Sequence, residues 1–152
     1  SNWFADVAYK VFDTPSETFE FSETALYALQ DKYKLCVLTR GDKEVQTKRM
    51  IHSGLTNYFD QFFVVDKKTP ELFRKICAFY ETEPKNAIMV GNSVYGDIYP
   101  ALEAGLFGFY VKNGTYELEG SYSISPEHHE RMAFGPDIRS FVEYLESVPD
   151  NQ

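Results

Sequence analysis

Cysteine is scarce in this sequence: Cys36 and Cys77 are the only two in 152 residues, and each lies inside an apolar run. Two such residues make no disulfide framework. They read as small buried hydrophobes, and a reducing cytoplasm is the default setting for them. Long apolar runs are also missing. None approaches the ~18 residues of a membrane span, and no signal-peptide pattern opens the chain. Basic clusters are missing too. The 15 Lys and Arg face 23 Asp and Glu, a net charge of −8, which argues against a surface for nucleic acid or anionic membrane. There are no internal repeats and no low-complexity segments. The chain begins Ser1-Asn2 without an initiator Met, as a processed or trimmed chain would.

What is present is a core. Hydrophobic residues make up 43% of the chain, and the length is that of one globular domain. Four short apolar runs, Leu35–Leu38, Phe62–Val65, Ala87–Val90 and Phe107–Val111, are strand-length and nearly continuous. Strands covered on both faces read this way. Helical patterns fill the gaps. Ala25, Leu26, Leu29 and Tyr33 share a face behind an N-cap at Ser22. Asp42 to Ser53 is helix-forming and stops at Gly54. Thr69-Pro70 opens a helix with a stripe of Leu72, Phe73, Ile76, Cys77 and Tyr80. Ile98, Ala101 and Leu102 precede Gly105, and Ile138, Phe141, Val142 and Leu145 form a last amphipathic helix. The expected fold is α/β: a Rossmann-like, doubly wound parallel sheet built as βαβαβαβ plus a terminal helix. Asn113–Ala133, with the pair His128-His129, reads as an irregular surface excursion. No third ligand stands at a metal-binding spacing from that pair.

In such sheets ligands bind at the carboxyl ends of the strands. After the first run comes Thr39-Arg40-Gly41-Asp42, a hydroxyl followed by backbone N–H groups near a helix start, which can cradle an anion. The plainer reading is a turn with Asp42 as N-cap. After the second comes Asp66-Lys67-Lys68-Thr69, where a Lys can neutralise a phosphate or a carboxylate; the plainer reading is a solvated Lys pair. After the third comes Gly91-Asn92-Ser93-Val94-Tyr95-Gly96-Asp97-Ile98. Gly91 allows a sharp turn, and Asn92 and Asp97 offer oxygen ligands suited to a hard cation such as Mg²⁺; alternatively, Asp97 is an N-cap.

Together these segments resemble the haloacid-dehalogenase-like hydrolase superfamily. Leu35–Asp42 looks like its second motif, Lys68 in Lys67-Lys68-Thr69-Pro70 like its third, and Met89–Ile98 like its fourth, with Pro100–Gly105 continuing in the same style. Ser53–Asp60 also fits, and the resemblance runs from Phe21 to Val111. Alignment on Thr69-Pro70 makes Lys68 the catalytic lysine; alignment on the commoner Lys-Pro-x-Pro form makes it Lys67. The first is preferred. The resemblance implies phosphomonoester hydrolysis through an aspartyl-phosphate on a small phosphorylated molecule. Thr39 would bond the transferring group, with Arg40 and Gly41 beside it. Lys68 would hold nucleophile and phosphate together, and Asn92 and Asp97 would hold Mg²⁺.

The family's first motif, Asp-x-Asp-x-Thr after an apolar run, is not recognisable. Its absence takes away the nucleophile, the acid–base and expected metal ligands. Asn92 stands where Asp is usual, so the Mg²⁺ site is expected to be weakened. Val7–Asp13 is strand-like and ends in an acid, which makes it the candidate for the central strand and Asp13 the candidate nucleophile. Asp13 can equally cap a turn before Pro15. Residues 1–21 are thus expected to be a cap remnant or a replacement first strand, and 22–152 the core, with a cap domain absent or reduced to a remnant. An unfilled central slot would leave strand edges for a second copy of the chain to cover. Three functions follow: a Mg²⁺-dependent phosphatase, incomplete or inactive as it stands; a silent member that binds a phospho-ligand or a protein through Thr39 and Lys68; and a receiver-like module, disfavoured because its acidic pair is missing.

Overall fold

The computed structural model describes residues 4–8, 24, 26–111 and 125–147. Six parallel strands form one sheet in the order β3-β2-β1-β4-β5-β6. They are β1 (Phe4–Ala8), β2 (Lys34–Arg40), β3 (Gln61–Val65), β4 (Ala87–Gly91), β5 (Phe107–Val111) and β6 (Met132–Gly135). The helices are α1 (residues 26–30), α2 (Lys43–Ser53), α3 (Pro70–Phe79), α4 (Tyr99–Ala104), α5 (Pro126–His129) and α6 (Ile138–Ser147). The fold is the α/β doubly wound sheet expected from the alternation of apolar runs and helical stripes.

The sheet is packed on both faces, which is why its strands read as continuous apolar runs. Leu35 and Val37 of β2, Ile88 and Val90 of β4, and Phe109 and Val111 of β5 join Leu26, Met50, Phe141 and Leu145 in one cluster. Their alternate neighbours Cys36 and Leu38, Ala87 and Met89, and Tyr110 join Phe73, Ile76, Cys77, Ala101 and Leu102 in the other. Successive strand residues point to opposite faces, so β2, β4 and β5 each feed both clusters. Both cysteines are buried, and neither forms a disulfide. Among the described residues, no helix is long and apolar enough to cross a membrane.

The helix signals act locally as read. Asp42 caps α2 by accepting from the Val45 N–H at 3.0 Å, and Gly54 ends that helix in the left-handed region. Thr69 caps α3 by accepting from the Leu72 N–H at 3.1 Å, with Pro70 at the first helical position. The Ser22 cap lies outside the described residues.

Two expectations are corrected. The described part of the central strand is Phe4–Ala8, three residues ahead of the expected start at Val7, and residues 9–13 lie outside the described residues. Phe4 is level with Lys34 and Ala87, and Ala8 is level with Leu38. Asp6 interrupts this stretch, so it does not read as an apolar run. The central slot is filled, and the strand-edge reason for a second copy does not arise there. The excursion 113–133 is not irregular throughout: α5 carries His128 and His129, and β6 extends the sheet beside β5. Four residues at an edge give too little pattern to read.

Arg131 fastens this added edge. Its Nη1 donates to the Leu106 carbonyl at 2.7 Å and, with Nη2, to the Leu102 carbonyl at 3.2 Å, at the end of α4. Arg131→Ala is expected to lower stability by about 2 kcal/mol, in the range for hydrogen bonds from a charged donor. A urea midpoint shift at constant slope checks it.

Candidate active site

The strand order reverses direction between β1 and β4, and the crevice of such sheets opens at that switch point, beyond the carboxyl ends. Thr39 near the end of β2, Lys68 after β3, and Asn92 and Asp97 after β4 all stand at those ends. The buried polar or charged residues among those described are Thr39, Lys68 and Asp97, each below 8% exposure. Buried polar side chains need partners, and here the three come from three successive strand ends.

Lys68 Nζ lies 2.6 Å from Asp97 Oδ1, with both side chains 5% exposed. Thr69-Pro70 begins α3 immediately after Lys68, which fixes the lysine at the helix entrance. Lys67, by contrast, is exposed.

Asp97 sits in a π-helical turn, Val94–Ile98, of the kind that often marks functional sites. Ser93 builds that turn. Its hydroxyl accepts from the Gly96 N–H at 3.0 Å, and its carbonyl accepts from the N–H groups of Asp97 and Ile98 at 2.9 and 3.1 Å. The turn folds Asp97 back over Gly91: a Cβ on Gly91 would lie 2.5 Å from Asp97 Oδ2. Ser93 was not singled out from the sequence; the Ser-x-x-Gly spacing is the signal that marks it.

Asn92 Oδ1 and Asp97 Oδ2 are buried, with no hydrogen-bond partner among the described residues. Two orphaned oxygens are what a hard cation takes as ligands, so this pair fits Mg²⁺. Only one of the two is a carboxylate, and its other oxygen faces Lys68. No group of three or more His, Cys, Asp or Glu able to hold a metal occurs among the described residues.

The loop after β2 departs from expectation. Arg40 and Gly41 are exposed, but the Gly41 N–H is not free for an anion, because it donates to the Val65 carbonyl at 3.2 Å. Pairing between the ends of β2 and β3 takes precedence there. The start of α2 is likewise occupied, by the Asp42 carboxylate. Asp13 lies outside the described residues. From Val7 to Phe12, where the central strand ends and the chain continues, the sequence contains no acid.

A family model described as haloacid dehalogenase-like hydrolase matches residues 3–105. The chain belongs to this family. Among curated proteins it is 29% identical over 106 residues to a glyceraldehyde 3-phosphate phosphatase of Pyrococcus furiosus, covering 66% of this chain and 44% of that one. It is 30% identical over 103 residues to the human N-acylneuraminate-9-phosphatase, covering 63% and 42%. The chain thus spans less than half the length of these relatives. A putative haloacid-dehalogenase hydrolase from Bacillus subtilis, solved bound to magnesium, superposes with a TM-score of 0.70 at 20% identity, over 83% of this chain and 55% of that one. The haloacid-dehalogenase-like fold therefore covers most of the chain, and its phosphatase members are among the relatives.

Proposed function

We propose that this chain is the phosphate-handling core of a phosphatase for a small phosphorylated molecule, and that it lacks the family's Asp-x-Asp nucleophile motif. The observation that carries this reading is the buried Lys68–Asp97 pair, which stands with Thr39 at the carboxyl ends of the strands. Thr39 donates a hydrogen bond to a phosphoryl oxygen, and Lys68 offsets its charge. Asn92 and Asp97 hold the magnesium side of the site. Mg²⁺, when bound, shields the charge of the phosphoryl group.

The chemistry stops short of hydrolysis without an attacking carboxylate. The family's acid pair belongs at the end of the central strand, and Val7–Phe12 offers none. Asp13 is the first acid after β1 in the sequence and the remaining candidate. A silent phosphate binder is the second reading, favoured by that same lack of an acid.

The experiment is a release assay with an aryl phosphate, with and without Mg²⁺, beside a titration with inorganic phosphate or vanadate. The expected outcome is binding without turnover, and no difference between the wild type and Asp13→Asn. Metal-dependent turnover abolished by Asp13→Asn would instead make Asp13 the nucleophile and the chain an active phosphatase.

A further inference from the structure

The Arg40–Gly41 peptide group lies one residue beyond Thr39, at an exposed turn, and it is held at both ends. Its carbonyl accepts from Gln46 Nε2 at 3.2 Å, and its N–H donates to the Val65 carbonyl at 3.2 Å. Gly41 lies at φ +131°, and a Cβ there would stand 2.8 Å from Gln46 Nε2. The glutamine amide fills the space a side chain would need. It also has one workable orientation, because turned over it would set its own oxygen against the Arg40 carbonyl. In that orientation Oε1 is buried, with no partner among the described residues. Leucine or methionine would fill the same concavity without a buried side-chain acceptor, but would leave the Arg40 carbonyl without this donor. What glutamine adds is the donor to the Arg40 carbonyl.

We propose that Gln46 is a positioning residue for the anion site, acting through Thr39. Thr39 is 4% exposed, and the peptide that Gln46 holds stands one residue beyond it, on the far side of Arg40. Gln46 itself rises from a fixed helix start: its N–H donates to the Asp42 carbonyl at 3.0 Å, and the Asp42 side chain caps the same turn. The side chain is neutral, so removing it changes the geometry of the site and not its charge. The inference rests on the phosphate reading above.

The test is a calorimetric titration of inorganic phosphate into the full chain, comparing wild type, Gln46→Leu, Thr39→Val and the double variant, with thermal melts alongside. Gln46→Leu is expected to weaken phosphate binding about fivefold, and the double variant to bind no more weakly than Thr39→Val, because coupled residues are non-additive. A lower melting temperature with unchanged affinity would make Gln46 merely structural and overturn the proposal. Losses that multiply independently would overturn it as well. A wild type that binds no phosphate overturns the phosphate reading itself, and this inference with it. If Gln46→Leu does not fold, Gln46→Met, which also lacks the donor, replaces it under the same criteria.

Discussion

Lys68→Met is expected to lower the unfolding free energy by about 3–5 kcal/mol, the usual consequence of stranding a buried charge. Methionine keeps the unbranched stem and removes the ammonium. Asp97, 4% exposed, then has no partner for Oδ1, while Oδ2 already has none among the described residues. For a chain of this length such a loss lowers the melting temperature by on the order of 10 °C. The exposed ion pairs set a contrast. Lys48 and Glu44 are 3.9 Å apart and more than three-quarters exposed. Breaking that pair is expected to change stability by less than about 0.5 kcal/mol.

The same pair has a second consequence. A buried ion pair is weak evidence for stability, because an apolar replacement of similar volume often does as well. The double variant Lys68→Met/Asp97→Leu is therefore expected to recover most of what Lys68→Met loses, by urea unfolding, and yet to bind phosphate no better. Recovered stability without recovered binding would separate the role of the pair in the site from its role in the fold. If the double variant stayed as unstable as the single, the pair would be structural and the phosphate reading would lose its main support.

The strands were legible where burial on both faces left continuous apolar runs, as at Leu35–Leu38 and Phe107–Val111. Thr39, Lys68, Asn92 and Asp97 were legible because they follow such runs, where no core demand explains a polar residue. The central strand was not. Asp6 breaks its pattern, and pairing on both sides with β2 and β4, a long-range effect, fixes its extent. β6 was hidden because an edge strand of four residues needs little apolar character. Gly41 misled for a different reason. A sequence shows that an N–H exists but not which carbonyl it meets, and here Val65 from the neighbouring strand takes it. Gln46 was invisible for the same reason, since its partner is a backbone carbonyl six residues earlier in the chain.

Gly91→Ala is expected to lower stability by about 3 kcal/mol, toward the upper end of what overpacking costs, although it adds a single methyl group. The new Cβ would stand 2.5 Å from Asp97 Oδ2 and 2.8 Å from Asp97 Cβ and Cγ. Neither side yields easily. β4 is an inner strand, paired to β1 and to β5, where Gly91 sits level with Tyr110. Asp97 is tied by its N–H to the Ser93 carbonyl at 2.9 Å, and by Oδ1 to Lys68. Any shift of Asp97 that relieves the clash moves the carboxylate that Lys68 holds, so Gly91→Ala is expected to weaken the ion pair without touching either partner. The two substitutions then act on one unit and should not add. In urea, Gly91→Ala/Lys68→Met is expected to lose clearly less than the sum of the single losses, and phosphate affinity should fall in Gly91→Ala as it does in Lys68→Met. Full additivity, with phosphate binding intact in Gly91→Ala, would mean that Asp97 can leave Gly91 without leaving Lys68.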